Sequence, residues 1–198
     1  SGRPTLLLRK DVGHSEQDCG PFTFLTTIIT YIYSFHDNQS TAPNETQTGE
    51  SLRIVNVSID DADTLELLQE IGHDSRDCPE LQSMMDWGTR LADYRRSEDV
   101  SSINVQQLLH NNQPIGVAVW TESRRSNQVE FKYFGIKPEK RHQGWGARFL
   151  NVIFRELRNR KTDCVFLHVD SRNDFAIKLY ENWGFEKTEQ QELWMGYR

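Results

Sequence analysis

Apolar and polar positions change period several times after residue 51, and each period indicates one kind of element. Alternation every second residue predicts strands, and apolar positions three and four apart predict helices. The predicted strands are 52–57, a hairpin of NVQQLLH and PIGVAVWT around the turn NNQ, 129–136, 164–169, and two closing segments, GFEKTE and ELWMGY. The predicted helices run from an N-cap at Asp60 or Asp61 to about 71, over 80–94, from the turn at 141–146 to about 160, and over 173–182.

The order of these elements indicates the class of fold. From residue 52 onward it is β-α-α-β-β-β-α-β-α-β-β, which mixes hairpins with crossovers through helices. Hairpins pair neighbouring strands antiparallel, whereas a crossover returns the next strand parallel. The sequence therefore predicts an α/β (α+β) protein with a mixed sheet and helices on its faces.

The N-terminal part has a different composition. TLLLRK and FTFLTTIITYIYSF are rich in Thr, Ile, Tyr and Phe, which favours strands. The stretch NQSTAPNETQTGES, 38–51, is polar and has no periodicity, which is typical of a linker. We therefore divide the chain into an N-terminal extension of unknown role, 1–51, and a main domain, 52–198.

Composition narrows the classes of function. The net charge is −6 and 36% of the residues are hydrophobic, which predicts a packed core and argues against a general nucleic-acid binder. Cys19, Cys78 and Cys164 form no CxxC pair, and the histidines have no metal-ligand spacing, so we expect neither disulfides nor a metal site. No stretch has the features of a signal peptide or a membrane span, so we expect a cytoplasmic protein that does not bind membranes.

The segment RHQGWG, 141–146, lies between a predicted strand and a predicted helix. Gly144 and Gly146 tolerate positive φ and let a ligand approach the main chain. The first amides of a helix lack internal partners and, together with the helix dipole, attract anions. Arg141 and Arg148 add positive charge on either side. The turn therefore predicts a phosphate site, although a plain flexible helix entrance explains the same residues.

Two segments together resemble a known family. RHQGWG fits the pattern Q/R-x-x-G-x-G/A, and NDFAIKLYENWGF, 173–185, fits N-x-x-A-x-x-L-Y-E-x-x-G-F. The pair is similar to the GNAT superfamily, the Gcn5-related N-acetyltransferases, over about residues 52–197. The resemblance implies the GNAT fold, a mostly antiparallel sheet that splays open between its two central parallel strands, with helices on both faces. It also implies N-acetyltransferase activity with acetyl-CoA as co-substrate and no metal.

The resemblance assigns the acetyl-CoA contacts. The strands 129–136 and 164–169 would splay apart and hold the pantetheine arm between them, and the amides of the turn would bind the pyrophosphate. Trp145 would pack beneath the turn. The residues expected to contact acetyl-CoA are Phe134, Gly135, Ile136, Arg141, His142, Gln143, Gly144, Trp145, Gly146, Ala147 and Asn173.

Catalysis in this family is direct attack of an amine on a thioester. The amine must lose a proton, and the leaving thiolate needs one. Tyr180 matches the tyrosine that commonly acts as general acid, although a packed aromatic side chain explains it too. Glu130 matches a glutamate that serves as base, often through water. Asn173 matches a position that bonds the pantetheine arm, directly or through water. Its structural interpretation is an N-cap for the following helix, and the two roles are compatible.

The environment of Glu130 leaves its role open. Strand alternation places Glu130, Lys132, Phe134 and Ile136 on one face of the sheet. An ion pair with Lys132 would make Glu130 a poorer base. His168, on the neighbouring strand, is a reserve candidate, although a lone histidine in an apolar strand is more often a core residue.

Four further residues have a functional and a structural interpretation. Asp170 is either a substrate carboxylate or, more simply, the residue that ends its strand in a turn. Trp87, Tyr94 and Trp120 come from segments that border the acceptor cleft in this family. Each of these aromatic side chains is explained equally well as part of the core.

We expect an acyl-CoA-dependent N-acyltransferase, most simply one that transfers acetyl from acetyl-CoA to a primary amine of a small molecule or a protein. The alternative is a catalytically inactive acyl-CoA-binding regulatory module. Release of free thiol in the presence of amines distinguishes the two. A homodimer is one assembly that we consider, and the negative net charge would favour a cationic acceptor.

Overall fold

The segments in which apolar and polar residues alternate form strands of one sheet in a computed structural model of the chain. The structure describes residues 4–10, 22–35, 52–73, 80, 86–96 and 100–197. The strands of this sheet are β1 (Pro4–Lys10), β2 (Thr23–Ser34), β3 (Leu52–Asn56), β4 (Val100–His110), β5 (Gln113–Ser123), β6 (Gln128–Ile136), β7 (Cys164–Asp170) and β8 (Glu186–Tyr197). The helices are α1 (Ala62–His73), α2 (Trp87–Arg96), α3 (Trp145–Asn159) and α4 (Asp174–Asn182), with a 3-10 helix at Pro138–Lys140.

The eight strands lie in the order β1-β8-β2-β7-β6-β5-β4-β3. Every neighbouring pair is antiparallel except β6 and β7, which are parallel. A parallel pair needs a crossover connection, and α3 is the helix between β6 and β7. The predicted fold class, a mixed and mostly antiparallel sheet with two central parallel strands, is confirmed.

Helices cover both faces of the sheet. On one face α3 contributes Phe149, Ile153 and Leu157, all fully buried in an apolar cluster. On the other face α1 contributes Leu68 and Ile71 to a second apolar cluster, which α2 joins. The spacing of three and four residues within each helix places these side chains on one stripe. Complete burial of one such side chain contributes about 1.5–3 kcal/mol.

The N-terminal strand β2 lies inside the sheet, between β7 and β8. It pairs with β7 over residues 28–34, and Tyr31 and Tyr33 belong to the same apolar cluster as α3. The sequence pattern did not indicate which sheet the N-terminal strands join. The division at residue 51 stays a prediction, and strands from both sides of it share this sheet. The predicted linker, 38–51, lies outside the described residues.

The predicted hairpin is confirmed at β4 and β5. Its turn residues Asn111 and Asn112 have φ of 51° and 62°. Left-handed conformations of this kind are the ones that hairpin turns of two residues require, and Asn adopts them more readily than most residues.

Two element predictions need correction. β8 runs without a break over the whole closing segment, which was predicted as two strands. EKTEQQELWM contains no Gly, Pro, Asn or Asp that would favour a turn. The predicted helix 80–94 is not continuous, because α2 begins only at Trp87. Asp86 precedes it as an N-cap, and its Oδ1 accepts a hydrogen bond of 2.9 Å from the Thr89 amide. Residues 81–85 lie outside the described ranges.

None of the helices in the described ranges combines the length and the apolar character that crossing a membrane requires.

Candidate functional site

The central feature of the site is a gap between the two parallel strands. β6 and β7 pair from Gln128 opposite Cys164 to Phe131 opposite Leu167, and their pairing ends there. β6 continues to Ile136 and β7 to Asp170 without pairing to each other. The two strands therefore diverge toward their carboxyl ends. The predicted opening of the sheet between these strands is present.

A β-bulge at Lys132 changes which face each β6 residue occupies. Phe131 lies opposite Trp120 and Tyr133 lies opposite Val119, so Lys132 is an extra residue on β6. Tyr133 consequently packs with the α1 and α2 cluster, whereas Phe134 packs with the α3 cluster on the other face.

The predicted single face for Glu130, Lys132, Phe134 and Ile136 is therefore wrong. Ile136, like Phe134, belongs to the cluster beneath α3. Glu130 and Lys132 are ion-paired to each other away from that cluster. A bulge shifts the alternation by one residue, so the period of two holds only on either side of it.

The turn after β6 presents backbone amides toward the gap. A 3-10 helix at Pro138–Lys140 is followed by His142 with φ of 59° and Gly144 with φ of 82°. Gly144 is the N-cap of α3, and its carbonyl accepts the Arg148 amide at 3.2 Å. The amides of the first helical turn precede that bond and have no intrahelical acceptor. The turn therefore offers several amides and the positive end of a helix dipole to an anion.

Side chains around this turn hold its shape. Arg141 donates to the Ile136 carbonyl at 3.0 Å and to the Ile71 carbonyl at 3.1 Å, which ties the end of β6 to α1. Gln143 donates to the Glu139 carbonyl at 3.0 Å and accepts from the Trp145 indole at 3.3 Å. Trp145 is buried beneath the turn, as the sequence predicted. The side chains of Arg141 and Gln143 thus stabilise the conformation of the turn.

A cavity of about 400 Å³ joins the turn to the gap. This volume lies in the range of small-molecule sites, about 300–1,000 Å³. The cavity is lined by all the predicted acetyl-CoA contacts except Gln143, namely Phe134, Gly135, Ile136, Arg141, His142, Gly144, Trp145, Gly146, Ala147 and Asn173. The structure therefore brings the two sequence motifs to one place.

Phe175 is a lining residue that the sequence analysis missed. Its side chain is 51% exposed, which is unusual for a phenylalanine, and its ring contacts His142 edge-on with centroids 4.6 Å apart. Together these rings form one wall of the large cavity. The sequence contained one signal for this role, because Phe175 is an aromatic residue in the first turn of a helix, directly after Asn173 and Asp174.

A second, smaller cavity of about 50 Å³ lies where the strands diverge. Tyr180 and Asn173 line both cavities. Tyr180 is 7% exposed, so the phenol is largely enclosed. Asn173 is the N-cap of α4 and its Oδ1 accepts the Ala176 amide at 3.3 Å. Tyr180 therefore lies between the large cavity and the end of the gap.

An acid–base cluster lies beside the small cavity, on the strands β6, β7 and β2. Glu130 Oε1 is 2.5 Å from Lys132 Nζ and 3.8 Å from His168 Nε2. His168 Nδ1 is 3.0 Å from Thr30 Oγ1. Burial lowers the pKa of His168 below its ordinary value of 6.5, and the nearby Glu130 carboxylate opposes that shift. His168 is therefore neutral at neutral pH.

Asp170 ends β7 in a turn, which is the simpler of its two interpretations. It is fully buried, accepts the Thr26 hydroxyl at 2.8 Å and accepts the Arg172 amide at 2.8 Å. The Arg172 guanidinium also binds it, and binds both oxygens of Glu80 at 2.8 Å. Asp170 thus connects β7, β2 and the segment before α2.

Replacing Asp170 by asparagine is expected to lower the free energy of unfolding by about 2 kcal/mol at pH 7. Burial alone would raise the pKa of this carboxyl, but the hydrogen bonds from Arg172 and Thr26 outweigh it and hold the pKa below its ordinary value. The stabilisation is therefore fully present above the unfolded-state pKa of about 3.9 and is lost as the pH falls below it.

Urea unfolding of both proteins between about pH 7 and pH 3 measures this difference, which should shrink toward the acid end. Asp93→Asn is the control, because the Asp93–Arg96 pair is exposed and should contribute little. A constant difference across this pH range would contradict the assignment.

The predicted acceptor-cleft aromatics have different surroundings. Trp120 is fully buried in the cluster beneath α3, so it is a core residue. Trp87 is buried on the opposite face, with its ring centroid 4.6 Å from that of Tyr133. The Tyr94 ring lies 5.2 Å from Lys132 Nζ, and burial raises its pKa. Only Tyr94 contacts the acid–base cluster directly.

Within the described part of the chain, no three His, Cys, Asp or Glu side chains come together in a group that could hold a metal ion.

Comparison with protein families and curated sequences gives two matches. The model of the acetyltransferase (GNAT) family matches residues 68–185, a range that includes β6, the turn, α3, β7 and α4. A mycothiol acetyltransferase from Thermobispora bispora is 40% identical over 53 residues, which cover 27% of this chain and 18% of that protein.

Solved structures share the fold. A GCN5-related N-acetyltransferase from Sphaerobacter thermophilus matches with a TM-score of 0.68 and 15% identity, over 100% of this chain and 60% of that chain. The PaiA N-acetyltransferase from Thermoplasma acidophilum, in complex with coenzyme A, matches with a TM-score of 0.56 and 19% identity, over 75% of this chain and 99% of that chain. The chain thus spans less than two thirds of the Sphaerobacter protein.

Proposed function

Because this chain belongs to the acetyltransferase (GNAT) family, we propose that it transfers an acetyl group from acetyl-CoA to a primary amine. The family resemblance that the turn and α4 predicted is confirmed. The observation that carries the proposal is the continuity of the site. One cavity of about 400 Å³ reaches from the amides at the start of α3 to Tyr180 at the gap between the strands.

The cavity supports acetyl-CoA as co-substrate. Its outer end has the amides of Gly144 to Ala147, which suit a diphosphate. After Phe131, β6 still pairs with β5 but no longer with β7, so its edge toward β7 suits the amides of a pantetheine arm. His142 and Phe175 offer an aromatic wall at the outer side. Acetyl-CoA supplies the thioester, and this chain holds it in an extended form.

Tyr180 is proposed as the general acid. Its phenol lines both the large cavity and the small one, so it faces the place where a thioester would lie in the gap. When the amine nitrogen bonds to the acetyl carbon, the carbon–sulfur bond breaks and the thiolate takes the phenol proton. Burial of the ring favours this step, because few water molecules compete as donors.

The proton acceptor is proposed to lie in the acid–base cluster that contains Glu130. The carboxylate is 22% exposed and has Lys132 and His168 as its neighbours. Its charge would attract a cationic amine and would stabilise the positive charge that develops on the nitrogen as the amine bonds to the acetyl carbon. Tyr180 of α4 packs in the cluster beneath α3, whereas Lys132 of the acid–base cluster lies against Tyr94 on the other face of the sheet, so acid and base would approach the thioester from different sides.

Free thiol release from acetyl-CoA, measured with a panel of primary amines, tests this function. The panel should contain a polyamine, an aminoglycoside, an amino sugar and peptides with a free N-terminus or a lysine. Activity is expected with at least one amine, with equal amounts of thiol and acetylated amine. Tight binding of acetyl-CoA without thiol release for any amine would instead support the inactive regulatory module.

A further inference from the structure

His168 lies nearer to the reacting end of the site than Glu130 does. Pairing between β6 and β7 ends at Phe131 opposite Leu167, so His168 is the first β7 residue beyond it. Glu130 lies opposite Phe166, inside the paired region. The small cavity is accordingly lined by His168 together with Tyr180, Asn173 and Lys132, and Glu130 is not among its lining residues.

We propose that His168 is the residue that contacts the acceptor amine and removes its proton, and that Glu130 acts through it. This inference rests on the proposed acetyl transfer and names the base of the same site. It also gives the N-terminal strand β2 a role, because Thr30 on β2 positions the imidazole.

Thr30 fixes the ring from the side remote from the cavity. It lies directly opposite His168 across the β2–β7 ladder, and its hydroxyl is 3.0 Å from Nδ1. Thr30 is 8% exposed, and its carbonyl accepts the Thr188 hydroxyl at 3.3 Å, so its own position is fixed by β8. When Nδ1–H donates to Thr30, Nε2 carries the lone pair that can accept a proton. A base held by a third group in this way follows the logic of catalytic triads.

The charged groups around the ring suit a base. Glu130 and Lys132 face it from β6 and Glu189 faces it from β8. Tyr94 of α2 lies against Lys132 on the far side. Although the side chain is 47% exposed, partial desolvation by its neighbours lowers the pKa of the ring, so it is neutral at neutral pH and can accept a proton. After it does so, the imidazolium lies 3.8 Å from the Glu130 carboxylate, which stabilises it.

The side chain is also reachable. His168 is 47% exposed and lines the same small cavity as Tyr180. The amine nitrogen bonds to the acetyl carbon, the carbon–sulfur bond breaks, one amine proton moves to His168 Nε2, and the Tyr180 proton moves to sulfur. His168 then returns its proton through water, and Tyr180 regains one, which resets the enzyme.

Three variants of the full chain test the proposal against the wild type. His168→Gln keeps a polar side chain of similar length and is expected to lower kcat about 100-fold, with acetyl-CoA affinity and Tm unchanged. In the wild type, kcat/KM should fall as the pH drops through the His168 pKa, below 6.5. This fall should be absent in His168→Gln. The pH profile should be measured with two amines of different basicity. The pKa of the amine changes with the substrate, whereas the pKa of His168 does not, so the two ionisations can be distinguished.

Chemical rescue distinguishes a base from a structural residue. His168→Ala should regain activity on addition of imidazole, and pyrazole, which has the same shape and is a far weaker base, should not restore it. Thr30→Val should lower kcat less than His168→Gln and should leave KM for acetyl-CoA unchanged. Wild-type kcat and an unchanged acid limb in His168→Gln would overturn the role of His168. No thiol release by the wild-type enzyme with any amine would overturn the proposed function itself.

Discussion

Tyr180→Phe is expected to lower kcat about 100-fold, because removal of a positioned general acid typically costs a factor of 10² to 10⁴. The ring itself stays, so the walls of both cavities are retained. Acetyl-CoA affinity should therefore change by less than about twofold, and kcat and kcat/KM should fall together. Steady-state kinetics combined with calorimetric titration of acetyl-CoA measures both quantities.

Tyr31→Phe is the matched control for this prediction. Tyr31 is also a buried tyrosine, and its hydroxyl donates to Glu181 of α4 at 2.8 Å. Its phenol holds the helix that carries Tyr180 but does not line either cavity, and burial together with that hydrogen bond raises its pKa to about 12. If the loss in Tyr180→Phe came from a displaced α4, Tyr31→Phe would show a comparable loss. Equal rates for Tyr180→Phe and the wild type would remove Tyr180 from the mechanism.

Gly144→Glu is expected to weaken acetyl-CoA binding about 30-fold or more. A carboxylate at this position lies at the start of α3, where the amides and the helix dipole attract a diphosphate. Like charges about 4 Å apart repel by about 1–4 kcal/mol between water and a protein surface, and each 1.4 kcal/mol is a tenfold change in affinity. Calorimetric titration with acetyl-CoA measures the effect.

Gly144→Gln separates charge from backbone strain. Gly144 has φ of 82°, so any side chain there adds left-handed strain, about 1–2 kcal/mol. A Cβ at this position meets no atom within 4 Å beyond its chain neighbours, so the first side-chain atom has room in the free protein. Both variants should lose similar stability, while the glutamate variant alone loses most of the affinity. The difference in acetyl-CoA affinity between the two variants should decrease at high salt. Equal affinities of the two variants would contradict a phosphate site at this turn.

The glycine turn after β6 and α4 could be predicted because each is a local signal. Gly144 and Gly146 mark a helix entrance, and Gly184, with φ of 86°, follows the end of α4 as a C-terminal cap. A strand, a turn and a helix in succession build such a site without information from distant parts of the chain. The family resemblance then placed Tyr180 in the same cavity as the turn.

The bulge at Lys132 could not be predicted from the pattern. A single extra residue leaves the composition of a strand unchanged but exchanges its faces from that point onward. Strict alternation through EFKYFGI would place Phe131 and Phe134 on opposite faces of the sheet, yet both pack in the cluster beneath α3. Only the pairing of β6 with β5 shows where the register shifts.

The position of β2 in the sheet could not be predicted either, because its partners are far away in sequence. Thr30 lies 138 residues from His168, and Thr26 lies 144 residues from Asp170. The Thr- and Ile-rich composition of β2 predicts a strand but no partner. Without β2 the surroundings of His168 are incomplete, which is why the histidine could be interpreted only as a reserve candidate.

A crystal structure of the full chain with acetyl-CoA tests the central claim most directly. We predict that phosphate oxygens of the diphosphate lie within about 3 Å of main-chain nitrogens between Gly144 and Ala147. We also predict that the pantetheine arm lies between β6 and β7 where the two strands diverge, with its sulfur beside Tyr180. A cofactor bound elsewhere, with this gap empty or closed by pairing of the two strands, would contradict the account.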